Sequence, residues 1–369
     1  MPSLLSSGLQ PAGMMQLVFE AIDESLPDTA WQTHFHRLWP GYRSWFIGRG
    51  GHRGPSLAQS EHALRRHMPE MVPTWERLVA LAGDDALAAR FLTGWCPPRY
   101  LVACSQAAHR GRDGVWLVRN YDLDPGLNEA LLWRTAWTGR PVISTGECLA
   151  GAADGLNEAG LAVSLAFGGR RVCGEGFGIP FVVRYLLETA ASTAEAVDIL
   201  QRVPVHMAYN LTLADRSGDL RTLMLGPDRP PAAAPLPLAT NHQDAEDWPE
   251  LVRFSRSVER ADCLRRLLTE ADPDGEGMIE AFLSPPLHVT EHGRGFGTVY
   301  TAAWRPDRGE VTLAWPGLRW RQGLAGFVPG RQVVRYAADD ASMDEAGDWA
   351  RYVPSPFRRY LRGPLGVPA

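Results

Sequence analysis

Apolar residues recur every three or four positions through much of the first 95 residues, and that spacing predicts helices. Met14, Leu17, Val18, Ala21 and Ile22 form one such stripe, Ser56 to His67 a second, and Thr74 to Leu92 a third in which Gly83 can act as a break. Gly48-Arg49-Gly50-Gly51-His52-Arg53-Gly54 interrupts them as a loop. Its glycines follow no clear strand and carry no lysine, so the spacing does not match a nucleotide phosphate cradle. Cys96-Pro97-Pro98 then stops helix formation, because each proline removes a donor and fixes the backbone.

Beyond residue 100 the texture changes to strands and turns. Tyr100 to Ala107 and Val115 to Val118 read as strands on either side of the turn pair Asp113-Gly114. Ala153-Asp154-Gly155 and Asn157-Glu158-Ala159-Gly160 read as turns leading into the strand Leu161 to Phe167. Pro180 to Thr189 predicts a helix with proline in its first turn, and Ser192-Thr193-Ala194-Glu195 is a capping box that opens another, ending before Pro204. Tyr209 to Ala214 and Leu220 to Leu225 flank the turn Asp215-Arg216-Ser217-Gly218. Pro227 to Pro237 reads as a surface linker, with strand texture resuming at Leu238-Ala239-Thr240. Arg253 to Glu270 predicts one long amphipathic helix, and Val299 to Trp304 with Glu310 to Trp315 a late hairpin. No internal repeat is present. Hairpins followed by paired helices imply an α+β fold with a mainly antiparallel sheet.

Composition narrows the chemistry. All 37 basic residues among the 369 are arginine. Without lysine there is no Walker A loop, protein-kinase site, Schiff base or Ser-Lys dyad. A formal charge of −5 offers no broad basic surface, which argues against nucleic acid as a partner. Met1 to Gln10 lack the pattern of a signal peptide, and no stretch approaches the roughly 20 apolar residues of a membrane span, so the expectation is a cytoplasmic protein with no membrane partner. The five cysteines, Cys96, Cys104, Cys148, Cys173 and Cys263, form no C-x-x-C pair and are expected to be free thiols. His34-x-His36 and His288-x-x-x-His292 lack a third ligand, so no metal and no other cofactor is expected. No Gly-x-Ser-x-Gly elbow is present.

The remaining chemistry converges on Cys104. Arg119-Asn120-Tyr121-Asp122 closes the second strand of the hairpin that Cys104 begins, so Arg119 and Asp122 can lie beside the thiol. A guanidinium there favours the thiolate; the plainer alternative is a small buried strand cysteine. Cys104 with Arg119 to Asp122, then Asp154-Gly155-Leu156-Asn157-Glu158-Ala159-Gly160-Leu161, Tyr209-Asn210 with Asp215 and Gly218, and Thr240-Asn241-His242, resembles the isopenicillin N acyltransferase family of N-terminal-nucleophile hydrolases. More distantly it is similar to the choloylglycine hydrolases. The likeness extends to the leader, through Tyr42 to Phe46 and Pro97-Pro98.

That resemblance implies a four-layer αββα sandwich of two stacked antiparallel sheets, preceded by a helical leader. It implies self-cleavage between Ala103 and Cys104, giving a leader fragment 1–103 and a catalytic fragment 104–369 that stay associated. The new α-amine, with a reference pKa of about 7.7–8.0, would serve as base for its own thiol. By the same resemblance Cys104 is the nucleophile, Asp122 holds the α-amine, Asn241 contributes to the oxyanion hole and Arg119 stabilises thiolate and aspartate. Arg260 matches an arginine of the choloylglycine hydrolases, with Arg256 a competing alignment. The partner implied is a small N-acyl compound, with acyl-CoA as an alternative donor, and the activity is amide hydrolysis or acyl transfer. Two departures stand out: Ala103 replaces the glycine of the fungal enzyme, and Val367-Pro368-Ala369 is not a peroxisomal signal. The rival readings are an unprocessed Cys-His hydrolase using His109 or His242, and a non-catalytic small-molecule-binding protein; His206 and His242 are placed as pocket residues.

Overall fold

A computed structural model describes residues 14–100, 103–243, 248–292 and 296–337. The readings at Met1–Gln10 and Val367–Ala369, and residues Leu101 and Val102 of the first expected strand, lie outside those residues.

The described residues begin with strand β1 (Met14–Asp23), followed by α1 (Thr29–Gly48), α2 (Leu57–His67), α3 (Val72–Leu81) and α4 (Ala86–Leu92). The capping box of Ser56 and Gln59 starts α2, and Gly83 at φ +81 does separate α3 from α4. The central part holds β2 (Ala103–Gly111), β3 (Gly114–Leu123), β4 (Leu131–Thr135), β5 (Val142–Glu147), β6 (Gly151–Asn157), β7 (Leu161–Phe167), α5 (Ile179–Thr189) and α6 (Thr193–Arg202). Then come β8 (Tyr209–Asp215), β9 (Leu220–Gly226), β10 (Arg229–Ala233), β11 (Leu238–Ala239), α7 (Pro249–Phe254), α8 (Ser257–Arg266), α9 (Gly275–Phe282), β12 (Gly297–Arg305), β13 (Glu310–Trp315), β14 (Leu318–Gly323) and β15 (Gly330–Ala337).

Nine strands form one sheet in the order β10-β9-β8-β7-β6-β5-β4-β1-β15, and six form another in the order β11-β2-β3-β12-β13-β14. All pairs are antiparallel except β1 with β4. β2 and β3 lie against β7 and β8, so the sheets stack face to face; α5 and α6 cover the large sheet, and α8 and α9 cover the small one. The fold is therefore α+β, with the helix-sheet-sheet-helix layering expected. Among the described residues no helix is long and apolar enough to cross a membrane, and all five cysteines are free.

Four local readings are corrected. The stripe at Met14–Ile22 is a strand: Phe19 and Ala21 are buried while Val18 is 38% exposed, the period of two that a sheet imposes. Its partners, β15 and β4, lie far away in the chain, and their pairing decides between two periods that so short an apolar run fits equally. Ala153-Asp154-Gly155 is not a turn but the middle of β6; the turn comes at Glu158–Gly160. Part of the expected proline-rich linker forms β10, an edge strand whose register breaks between Arg229 and Ala232, where Pro230 and Pro231 have no N–H to give. The long helix from Arg253 is divided at Arg256, which sits at φ 50.

Candidate active site

The alternation of side chains along β2 and β3 sorts the site into two halves. Cys104 pairs across the ladder with Tyr121, and Gln106 with Arg119, so these four project from one face, toward the large sheet. Ala103 pairs with Asp122 and Ser105 with Asn120, which project from the other face, toward α8 and α9. Sulfur and backbone nitrogen of Cys104 thus meet different sets of residues.

On the inner side Arg119 is fully buried, and each of its nitrogens has a partner. Nε donates to the Leu165 carbonyl at 2.9 Å, Nη1 to Asp154 Oδ2 at 2.9 Å and to the Tyr300 hydroxyl at 3.3 Å, and Nη2 to Cys104 Sγ at 3.1 Å. The Thr145 hydroxyl donates to Asp154 Oδ1 at 2.5 Å and accepts from Tyr300 at 3.0 Å. The guanidinium also lies 4.4 Å from the Tyr121 ring centroid. With both ends of the fork held, its free edge is aimed at the sulfur. Burial nonetheless dominates and pushes the Cys104 thiol up to about 11, against the pull of Arg119 and with the help of Asp122. The thiolate expected beside Arg119 is therefore a neutral thiol in the uncut chain.

On the outer side, the Cys104 N–H donates to Asn241 Oδ1 at 3.0 Å. β11 pairs Ala239 with Gln106 and Leu238 with Ala107, so Asn241 stands where the ladder would next reach Cys104, and its side chain takes over from the strand. Arg260 Nη2 donates to the same Asn241 oxygen at 2.8 Å, and its Nη1 to Asp122 Oδ2 at 2.5 Å. Thr298 donates to Asp122 Oδ1 at 2.7 Å. Burial raises the Asp122 carboxyl, with Arg260 and then Thr298 pulling it down. Gly169, at φ +72, lets its loop pass close to Asn241: a Cβ there would lie 2.3 Å from the Asn241 carbonyl oxygen.

The structure brings together Ala103, Cys104, Arg119, Asp122, Asn241 and Arg260, all buried. It separates the competing arginines, since Arg256 is half exposed and paired with Glu259 at 2.7 Å. The histidines lie elsewhere. His109 is five residues along β2, about 17 Å away, and 3.1 Å from Asp272; His242 Nδ1 meets Ser257 Oγ at 2.7 Å; burial pushes His206, stacked on Tyr100, down to about 3. His34 is 2.8 Å from Glu129.

Sequence reading missed as site residues Asp154, Thr145 and Tyr300, which hold Arg119 in place, and Thr298, which holds Asp122. A fully buried arginine needs a buried anion, so Arg119 itself was the signal that one of the nearby carboxylates belonged to it. It also missed Glu147, whose carboxyl accepts from the Tyr121 hydroxyl at 2.8 Å and is pushed up to about 8, first by burial and then by the charge of Glu129.

The profile of the family described as acyl-coenzyme A:6-aminopenicillanic acid acyl-transferase matches residues 109–320, more than half of the chain. No curated protein matches it in sequence. Among solved structures, it is similar to a mutant conjugated bile acid hydrolase from Clostridium perfringens (12% identity, 62% of this chain and 96% of that one, TM-score 0.46). It is similar also to penicillin V acylase from Agrobacterium tumefaciens (14%, 60% and 86%, TM-score 0.41) and to the Caenorhabditis elegans ortholog of N-acylethanolamine-hydrolyzing acid amidase (15%, 63% and 100%, TM-score 0.39).

Proposed function

Because the chain belongs to the acyl-coenzyme A:6-aminopenicillanic acid acyltransferase family, it is an amide hydrolase or acyltransferase, and we propose that it works through Cys104 after cutting its own backbone between Ala103 and Cys104. The observation that carries this reading is the division of labour at Cys104: Arg119 on the sulfur from one side, Asn241 on the nitrogen from the other. In the cut, Cys104 Sγ attacks the Ala103 carbonyl carbon, its proton passes to the departing Cys104 nitrogen, and the C–N bond breaks. Water then hydrolyses the Ala103 thioester, leaving a carboxylate, the free thiol and a new α-amine. The fragments have 103 and 369 − 103 = 266 residues. With no lysine in the chain, this amine is the internal one with a pKa near neutrality, and it deprotonates the thiol for attack on substrate.

The acyl group of a small N-acyl compound, or of an acyl-CoA, then passes to sulfur and on to water or an amine. Asn241 Nδ2, which donates to the Phe167 carbonyl at 3.2 Å in the uncut chain, would turn to the acyl oxygen; one such donor is worth about 2.7–4 kcal/mol of barrier. Asp122, with Arg260 fixing it to Asn241, sets the field at the amine. The Cys-His alternative is less well supported, since His109 and His242 are engaged away from the sulfur.

Intact mass and N-terminal sequencing of the purified protein test the reading. Fragments starting at Met1 and Cys104 are expected, and Cys104→Ala should give one uncut, inactive chain. A wild-type chain that stays whole yet hydrolyses amides, or a Cys104→Ala variant that still appears as two pieces, would overturn it.

A further inference from the structure

The glycine-rich loop that ends α1 is not used by the chemistry above, yet it forms one wall of a cleft of about 350 Å³. Arg49, Gly50, Gly51 and Gly54 face Cys96, Pro97, Pro98 and Arg99 across it. No acidic side chain among the described residues lines it. Beneath the glycines lies the guanidinium of Arg90, 7% exposed, against the Phe46 ring and donating to the Gly51 carbonyl; its Nε has no partner. The guanidinium is so close under the wall that a Cβ on Gly54 would lie 2.9 Å from Arg90 Nη2. Burial lowers the Arg90 pKa, the sign of a cation without a nearby carboxylate.

We propose that this cleft binds an oxyanion, a phosphate ester or a carboxylate, on the end of the acyl substrate remote from the reacting carbonyl. Arg49 and Arg99 would grip it and Arg90 would supply buried positive charge from below. Arg99 is five residues before Cys104, so its backbone lies at most about 18 Å from the nucleophile, within the span of a substrate with an anionic head and an acyl end. The assignment of the anion to a substrate rests on the acyl-transfer reading; the binding itself does not.

The test is calorimetric titration, at low ionic strength, of the Cys104→Ala chain, which needs neither processing nor turnover. Two matched pairs serve as probes: coenzyme A against pantetheine, and N-octanoylglycine against N-octanoylglycinamide. At least one anion should bind roughly tenfold or more tightly than its neutral counterpart, and added salt should erode the difference. Preference within the first pair assigns a phosphate source, within the second a carboxylate. Arg49→Gln combined with Arg99→Gln should abolish the preference; if the double variant melts early, each single variant should reduce it. Anions that bind no better than their neutral partners, or a preference that survives both substitutions in a folded protein, would overturn the site. Anion binding by the Cys104→Ala chain alongside a wild-type chain that never cuts itself would instead sink the proposed reaction and leave the site standing.

Discussion

Arg119 and Asp154 form an ion pair in which both side chains have no solvent exposure. Such a pair contributes little by existing, because desolvation offsets attraction, but removing one partner strands the other. Asp154→Asn is expected to cost about 3–5 kcal/mol in denaturant unfolding and to slow self-cleavage, read by intact mass, because the fork no longer holds its aim at Cys104. Glu147 yields a pH prediction. Its folded pKa of about 8 exceeds the unfolded value of about 4.3, so folding takes up a proton between them. That stabilisation is complete below the unfolded pKa and is lost as pH rises through the folded one. Glu147→Gln removes the titration, so between about pH 6 and about pH 9 the variant's unfolding free energy should fall less than the wild type's. Urea denaturation at both values measures this, and equal slopes would exclude the effect.

At the scale of elements, the break at Arg256 decides which arginine enters the site. One continuous helix from Arg253 would have carried its own register through residue 260; restarting at Ser257 turns Arg260 inward to Asp122 and Asn241. Arg256 sits in a left-handed conformation that costs an L-residue roughly 1–2 kcal/mol, and its pair with Glu259 is exposed on both sides. Arg256→Gly should therefore be neutral or stabilise by up to about 1 kcal/mol and leave cleavage intact. Arg260→Leu, which strands Asp122, should lose about 3–5 kcal/mol and processing with it. Thermal melting and fragment analysis of the two variants separate them; similar damage in both would refute the distinction. The break was illegible because it depends on one residue's backbone angle, with no proline or glycine to mark it.

At the scale of the whole molecule, the segment before Cys104 is woven into the large sheet and its surroundings. β1 lies between β15 and β4 in the large sheet, Trp31 Nε1 donates to the Leu149 carbonyl, and Glu129 accepts from His34, Tyr42 and the Leu149 N–H. A cut before Cys104, as proposed, would break none of these contacts. The two fragments should therefore co-elute in size-exclusion chromatography and part only in denaturant, whereas deleting residues 14–23 should prevent soluble folding by opening the sheet along β4 and β15. Separation of the fragments in native buffer would contradict this.

What the sequence determined by itself was which candidate groups come together and the class of fold. The hairpin spacing put Cys104 on the same ladder as Arg119 and Asp122, caps and prolines started α2, α5 and α6, and hairpins followed by helices implied an α+β fold with a mainly antiparallel sheet. These signals are local, arising within one turn, one cap or one hairpin. Tertiary structure decided the state of those groups and their company. Strand identity for β1 came from neighbours far away in the chain, the neutrality of the Cys104 thiol from burial between two sheets, and the pairing of Arg119 with Asp154 and of Arg260 with Asp122 from the meeting of separate layers. Desolvation and long-range pairing depend on what finally covers a residue, and no window along the chain contains that.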